Sequence, residues 1–349
     1  MKDPVEARAD ESDDLYDIAS WEPRTALDAL ALKTYHGAVS AGRAFIVALG
    51  IFIMLLILGG GAGAIIIDNP FILGLIVLSV VPAGLLVLYI YSADITTNEP
   101  ASLIAATFVL SILFAGFAAI INSVFGFLQA FSLIGLILFY YVVVGPGEEA
   151  VKLLAVRLYA FRDDRFDSVI DGAVYGAIAG LGFATIENVI YITQNLQTPA
   201  MILAQSGSDF ASQFFETIDA GSGITAVRGL AGPGHVIYSA FTGYYLGLAK
   251  FNRENAGPII AKGLLIAAFI HATYNTLAGI VPGIVSIFVP GVPPLVLFFG
   301  FVIVYDGIFL YVLYRKLERY RSTFQALHDG PEVASEHDSE LTEFDPETR

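Results

Sequence analysis

The 349-residue chain has no cysteine, a single tryptophan and only three methionines. Without thiols, disulfides, thiolate nucleophiles and cysteine metal sites are all excluded. Charge is scarce too: 15% of residues are Asp, Glu, Lys or Arg, against roughly 25% in an ordinary soluble domain. No basic cluster offers a surface to phosphate backbones, so nucleic acid is not expected as a partner. The N-terminus is acidic and has no early apolar run, which does not read as a cleavable signal peptide. There is no tandem repeat.

What the chain does have is apolar surface. Hydrophobic residues make up 56% of it and the mean hydropathy is +0.70, above the ~45–50% apolar content of soluble domains. The net charge of −15 belongs mostly to the ends: residues 1–42 hold nine of the 33 acids and residues 322–349 hold eight. The middle carries 16 acids and 13 bases. Segments so acidic cannot bury a core, so three regions follow. Residues 1–42 are an acidic tail with room for an interfacial helix within 15–42. Residues 43–321 form the membrane domain, and residues 322–349 a disordered acidic tail.

A hydrocarbon core of roughly 30 Å needs about 20 apolar residues per helix. Eight stretches qualify: 44–67, 71–92, 102–121, 133–160, 169–192, 233–250, 258–278 and 292–314. The fold class expected is therefore an all-α, polytopic transmembrane bundle of about eight spans, multi-pass in the cell membrane. With eight spans, Lys33, Arg43, Arg157, Arg162, Arg165, Lys250, Arg253, Lys262, Arg315, Lys316, Arg319 and Arg321 fall on one side, and only Arg228 on the other. The excess of positive charge puts both termini in the cytoplasm. Residues 193–231 are then the longest outer loop, with room for a short helix. Gly172, Gly176 and Gly180, and likewise Gly243 and Gly247, recur at four-residue spacing, which lets helix backbones approach closely.

An ionisable group at mid-span costs ~2.5–3.5 kcal/mol or more, so those present mark sites. Four places stand out. The first is Gly145-Pro146-Gly147-Glu148-Glu149-Ala150-Val151-Lys152. Glu148 and Lys152 are four apart and spaced for an ion pair. Glu149 points about 100° away, and two adjacent carboxylates repel in a dry site. Such a pair suits acid–base chemistry or a cation.

The second is Glu187-Asn188, where Glu187 has no basic neighbour in sequence and must be protonated, paired across helices or bound to metal. The third is Gly232-Pro233-Gly234-His235, where a proline suits the first turn of a helix. That placement favours the neutral imidazole needed for metal binding or proton abstraction. The fourth is His271, with Asn275 one turn later.

A lone buried histidine is more often structural than a ligand, so the case rests on the set. Two adjacent Glu, a third Glu and two His from four spans can form a site for Zn²⁺ or another divalent metal, with one position left for water. A metal-free version has a Glu-activated water, with His and Asn stabilising the oxyanion. Glu187, His235 and His271 lie in the outer half of the membrane and Glu148 nearer its middle. A helix broken at Gly145-Pro146-Gly147 would bring them to one level. Asp171 is expected to reach water near the cytoplasmic end, and Asp306 to serve in packing or pairing.

These motifs resemble those of the PrsW family of intramembrane proteases, within the superfamily that includes CAAX prenyl endopeptidases and bacteriocin-processing membrane proteins. The resemblance rests on Glu148-Glu149-x-x-Lys152, Phe183-x-x-x-Glu187-Asn188, Arg228 with His235 seven residues on, and His271-x-x-x-Asn275, in that order over about 125–280. It implies an endopeptidase that cuts a membrane-anchored protein, such as an anti-sigma-like regulator. It implies Glu148 and Glu149 as catalytic acids and Glu187, His235 and His271 as metal or water ligands. Lys152, Asn188, Arg228 and Asn275 would support them. Asn275 stands where some relatives have Asp, and CAAX-type relatives have His at the place of Glu187, which speaks against prenylated substrates. Two other functions fit buried Glu and His: a proton- or cation-coupled transporter, and an inactive scaffold that binds partners through its acidic tails.

Overall fold

Long apolar stretches with few breakers satisfy their backbone polar groups internally, and in a membrane a helix does this within one segment. The computed structural model describes residues 8, 10, 14–17, 20–94, 99–206 and 210–328, with the backbone alone at 197–206, 210–211 and 213. Among the described residues it is helical, with no β-strand.

Helix α1 (Ala26–Ile57) starts at Thr25, whose hydroxyl accepts the Asp28 N–H while Asp28 accepts the Thr25 N–H. It continues through a π-helical turn into α2 (Gly63–Asp68). Helix α3 (Phe71–Tyr91) follows, then α4 (Ala101–Phe125), which ends in a 3₁₀ turn. Helix α5 (Ser132–Leu138), a π-helical stretch at Phe139–Val144 and α6 (Gly145–Leu158) form one rod. The last four helices are α7 (Val169–Ser206), α8 (Phe210–Phe251), α9 (Ala256–Phe288) and α10 (Pro294–His328).

Seven of these rods are long and apolar enough to cross a membrane, and the chain is a multi-pass membrane bundle. The eighth expected span, 233–250, is the inner half of α8. Its lower apolarity has a structural cause: it is walled in by α7, α3, α9 and α10 rather than by lipid. The apolar windows differ in the same sense, 89% buried in α7 but only 11% in α10. Exposed Phe45, Leu55, Ile303 and Tyr311 are the lipid-facing surface of the outer helices.

Three expectations are corrected. Residues 193–231 are not mainly a loop, because α7 runs to Ser206 and α8 begins at Phe210. Consequently Pro233 lies inside α8, and His235 is not at a helix N-terminus. Arg228 is likewise not a loop charge but a buried residue of α8. The start of the first membrane helix also differs: α1 runs unbroken through position 42, so any interfacial segment from Ala26 onward is continuous with the first span. The tail expected to be disordered, 322–349, begins instead inside α10, which runs to His328, and residues 329–349 lie outside the described residues.

The small residues do bring helices together. A Cβ on Gly172 would sit 2.2 Å from the Gly243 carbonyl, and one on Gly176 2.2 Å from that of Ser239. The α7 and α8 backbones therefore touch along the stretch leading to Glu187 and His235. Gly145 does the same between α6 and α9, where a Cβ would meet the Ala268 carbonyl at 2.6 Å. That contact brings Glu148 and Glu149 beside His271.

Candidate active site

Four helices deliver the polar groups: α6 Glu148, Glu149 and Lys152; α7 Glu187 and Asn188; α8 Arg228 and His235; α9 His271 and Asn275. The helix is not broken before the acids. Instead the π-helical turn at Phe139–Val144 runs straight into Gly145-Pro146. Wide turns of this kind often sit at functional positions and accommodate irregularities in the backbone ladder.

Glu149 is fully buried. Its Oε1 lies 2.7 Å from Lys152 Nζ and 2.9 Å from His271 Nδ1, and its Oε2 accepts from the Ser239 hydroxyl at 3.3 Å. The sequence spacing pairs Lys152 with Glu148; the structure pairs it with Glu149, because Glu148 turns the other way. Glu148 Oε1 accepts from the Asn122 amide at 3.0 Å, and its buried Oε2 has no hydrogen-bond partner but lies 3.7 Å from His271 Nε2. With His271 Nδ1 donating to Glu149, the Nε2 lone pair faces Glu148. A carboxylate behind a histidine in this way fixes its tautomer and orients it toward a metal or a water.

His235 is held differently. Lys152 Nζ is 2.9 Å from its Nδ1. An ammonium only donates, so Nδ1 accepts and the ring proton sits on Nε2, which is 2.7 Å from Glu187 Oε2. The Glu187 carboxylate also receives Arg228 Nη2 at 2.5 Å. Of the three states open to Glu187 from sequence, the structure selects pairing across helices. Arg228 Nε donates to Asn188 Oδ1 at 2.8 Å, and the Asn188 amide reaches the Ser79 hydroxyl at 2.9 Å. The chain thus runs His235–Glu187–Arg228–Asn188–Ser79 across three helices. Lys152 sits 4.4 Å over the Phe183 ring, which closes the site on the α7 side.

One ligand atom each from Glu148, His235 and His271 lies within 4.8 Å of the others. The three line a cavity of about 420 Å³ together with Glu187, Arg228 and Asn275. Asn122, Tyr140, Tyr238 and Tyr274 also face it. Glu149, Lys152 and Asn188 stand behind this wall. The residues expected from sequence therefore converge, in two layers.

Sequence reasoning missed Asn122, Ser239, Tyr238 and Ser79. Ser239 lies one turn after His235 on the same face, a signal that was available. Asn122 lies near the end of the apolar helix α4, and nothing local points to it. Two single acids also resolve. Asp306 accepts the Tyr238 hydroxyl at 2.7 Å, the pairing role expected of it. Asp171 does not reach water; it is fully buried and caps α7.

A family model described as PrsW family intramembrane metalloprotease matches residues 99–308. Three relatives named Protease PrsW align with the chain. That of Geobacillus kaustophilus is 29% identical over 130 residues, 37% of this chain and 47% of the relative. That of Oceanobacillus iheyensis is 29% identical over 206 residues, 56% and 79%. That of Bacillus subtilis is 25% identical over 198 residues, 56% and 78%. The chain spans about half the length of the Geobacillus relative and most of the other two. No solved structure matches it.

Proposed function

Since the chain belongs to the PrsW family of intramembrane metalloproteases, we propose that it hydrolyses a peptide bond in a membrane-anchored protein, at the cavity wall formed by Glu148, His235 and His271. The convergence of these three groups within 4.8 Å, inside a membrane bundle, carries the reading.

The donor set fits a metal. Glu148 Oε2 is buried without a partner, and His271 Nε2 is freed by Glu149. His235 would complete the trio through an Nε2 lone pair, in the tautomer that carries its ring proton on Nδ1. A divalent ion held there would lower the pKa of a water and polarise the scissile carbonyl; nitrogen and oxygen donors of this kind suit Zn²⁺.

The other residues hold and move protons. Glu149 keeps His271 in one tautomer, so it acts as a positioning residue and not at the substrate. Glu187 orients the His235 ring from beside Nε2, while Arg228 and Asn188 keep its carboxylate in line. Asn275, on the same wall, is placed to donate to the oxygen of the scissile carbonyl. The substrate is a single-pass or tethered protein, and a regulatory protein of the anti-sigma kind fits that description.

The test co-expresses tagged single-pass candidates with wild type, Glu149→Ala and His271→Ala. Cleavage by wild type alone is the expected result, and cleavage that survives both substitutions sinks the proposal. Metal content of the purified proteins is the second readout: about one divalent ion per chain at this site, lost in His271→Ala.

A further inference from the structure

A second group of carboxylates gathers around the first turn of α7, far from the cavity. We propose that Asp94, Glu99 and Asp171 form a binding site for a hard divalent cation, Ca²⁺ or Mg²⁺. One carboxylate oxygen from each lies within 4.8 Å of the others. Asp171 and Glu187 are 16 residues apart on α7, about 24 Å at 1.5 Å per residue, so the two sites are separate.

Two of the three acids are deeply buried, Glu99 at 5% exposure and Asp171 at 0%. Asp171 has a structural task of its own: it accepts the N–H groups of Asp167 at 2.7 Å and Ser168 at 3.0 Å and bonds the Ser168 hydroxyl. That task explains Asp171 and leaves the burial of Glu99 beside it to be accounted for. Glu99 accepts the Tyr175 hydroxyl through Oε2, while its buried Oε1 has no hydrogen-bond partner. Among the described residues neither Glu99 nor Asp171 forms an ion pair with Lys or Arg. Lys250 donates to the Asp163 carbonyl at 2.8 Å and lies 4.6 Å over Phe166.

A shared proton relieves two carboxylates but not three. Burial and the neighbouring acids push the Glu99 carboxyl up to about 8, which is the cost a bound cation would remove. The donors are all carboxylate oxygens, with no imidazole and no sulfur, the choice of hard ions over Zn²⁺. A cation here would tie the α3–α4 connection to the first turn of α7, the helix that presents Glu187 and Asn188.

The experiment is a terbium titration of the full chain in detergent with tyrosine excitation, since Tyr175 touches Glu99 and can sensitise a lanthanide bound there. Expected are a luminescence that Ca²⁺ competes away, at least a tenfold loss of it in Glu99→Gln and in Tyr175→Phe, and its retention in Glu148→Gln. A Glu99→Gln titration that overlays wild type, or a signal that disappears in Glu148→Gln instead, overturns the proposal. Should Glu99→Gln fail to fold, the melting temperature of Glu148→Gln with chelator and with millimolar Ca²⁺ or Mg²⁺ decides: a rise of several degrees supports the site, and no shift refutes it.

Discussion

Helix α7 carries two buried carboxylates 16 residues apart, and their surroundings differ in sign. Around Glu187 every acid has a basic or imidazole neighbour: Arg228 and His235 for Glu187, Lys152 and His271 for Glu149, His271 for Glu148. Around Asp171 the neighbours that gather are more acids, Glu99 and Asp94. Burying an isolated charge is expensive in any low-dielectric interior. The first cluster meets that cost with side chains of the protein itself, apart from Glu148 Oε2, which is left over. The second leaves it to something outside the chain. An unmatched lone pair beside matched neighbours is how a protein presents a ligand atom, and Glu99 Oε1 is such an atom in the second cluster.

The largest expected effect tests the leftover group of the first cluster. Glu148→Gln keeps the shape and the bond to Asn122 but removes the anionic donor; cleavage should fall about 10²- to 10⁴-fold, the range for loss of a proton-transfer group. Proteolysis in reconstituted vesicles measures it, and an unchanged rate would falsify the placing of Glu148 at the reaction.

Charge matching itself is tested by two substitutions measured side by side. Lys152→Met strips the balanced cluster of a cation and leaves Glu149 uncompensated, so stability should drop by about 3–5 kcal/mol. Glu99→Gln takes a charge from the all-acid cluster and, without divalent cations, should cost nothing or raise the melting temperature. Equal losses in both would erase the contrast.

Next in size is the helix contact that carries both clusters. Gly176→Ala places a methyl 2.2 Å from the Ser239 carbonyl, and the forced separation of α7 and α8 should cost about 1–3 kcal/mol. It should also slow cleavage, since Glu187 and His235 ride on those helices. Thermal melts and the same vesicle assay report the two effects.

A pH slope singles out the second cluster. Unfolded, the Glu99 carboxyl releases its proton near 4.5; folded, among Tyr175, Asp171 and Asp94, it holds it up to about 8. Between these values the folded chain binds more protons than the unfolded one, so stability falls as pH rises. In chelator the melting temperature should decline from about pH 5 to pH 8. Saturating Ca²⁺ should flatten the decline, and a slope indifferent to Ca²⁺ would assign it to another group.

Much of this could be read from the linear chain because a bilayer is a demanding solvent. Apolar runs of about 20 residues find the rods at Phe71–Tyr91 and Ala101–Phe125 within a few residues. Charges inside such runs are costly enough to advertise themselves, which is how Glu148, Glu149, Glu187, His235 and His271 stand out. The same logic misleads where protein replaces lipid. The stretch 233–250 reads as a span of its own but is the C-terminal half of α8, shielded by α7 and α9, and the stretch 193–231 looks like a loop because polarity was taken for irregularity. Asn122 and Glu99 escaped because their significance lies in contacts with residues 26 and 72 positions away, Glu148 and Asp171, and no periodicity records such distances.

The sequence alone determined the helical membrane architecture and singled out Glu148, Glu149, Glu187, His235 and His271, since both follow from transfer energies that each residue carries wherever it sits. Which oxygen faces which nitrogen was decided only in three dimensions. Gly172, Gly176 and Gly145 set how closely backbones approach, and that spacing turned Lys152 toward Glu149 rather than Glu148, drew Arg228 onto Glu187 and left one carboxylate oxygen of Glu148 unpaired beside His271. Pairing depends on distances of a few tenths of an ångström between helices far apart in sequence, and only packing fixes those.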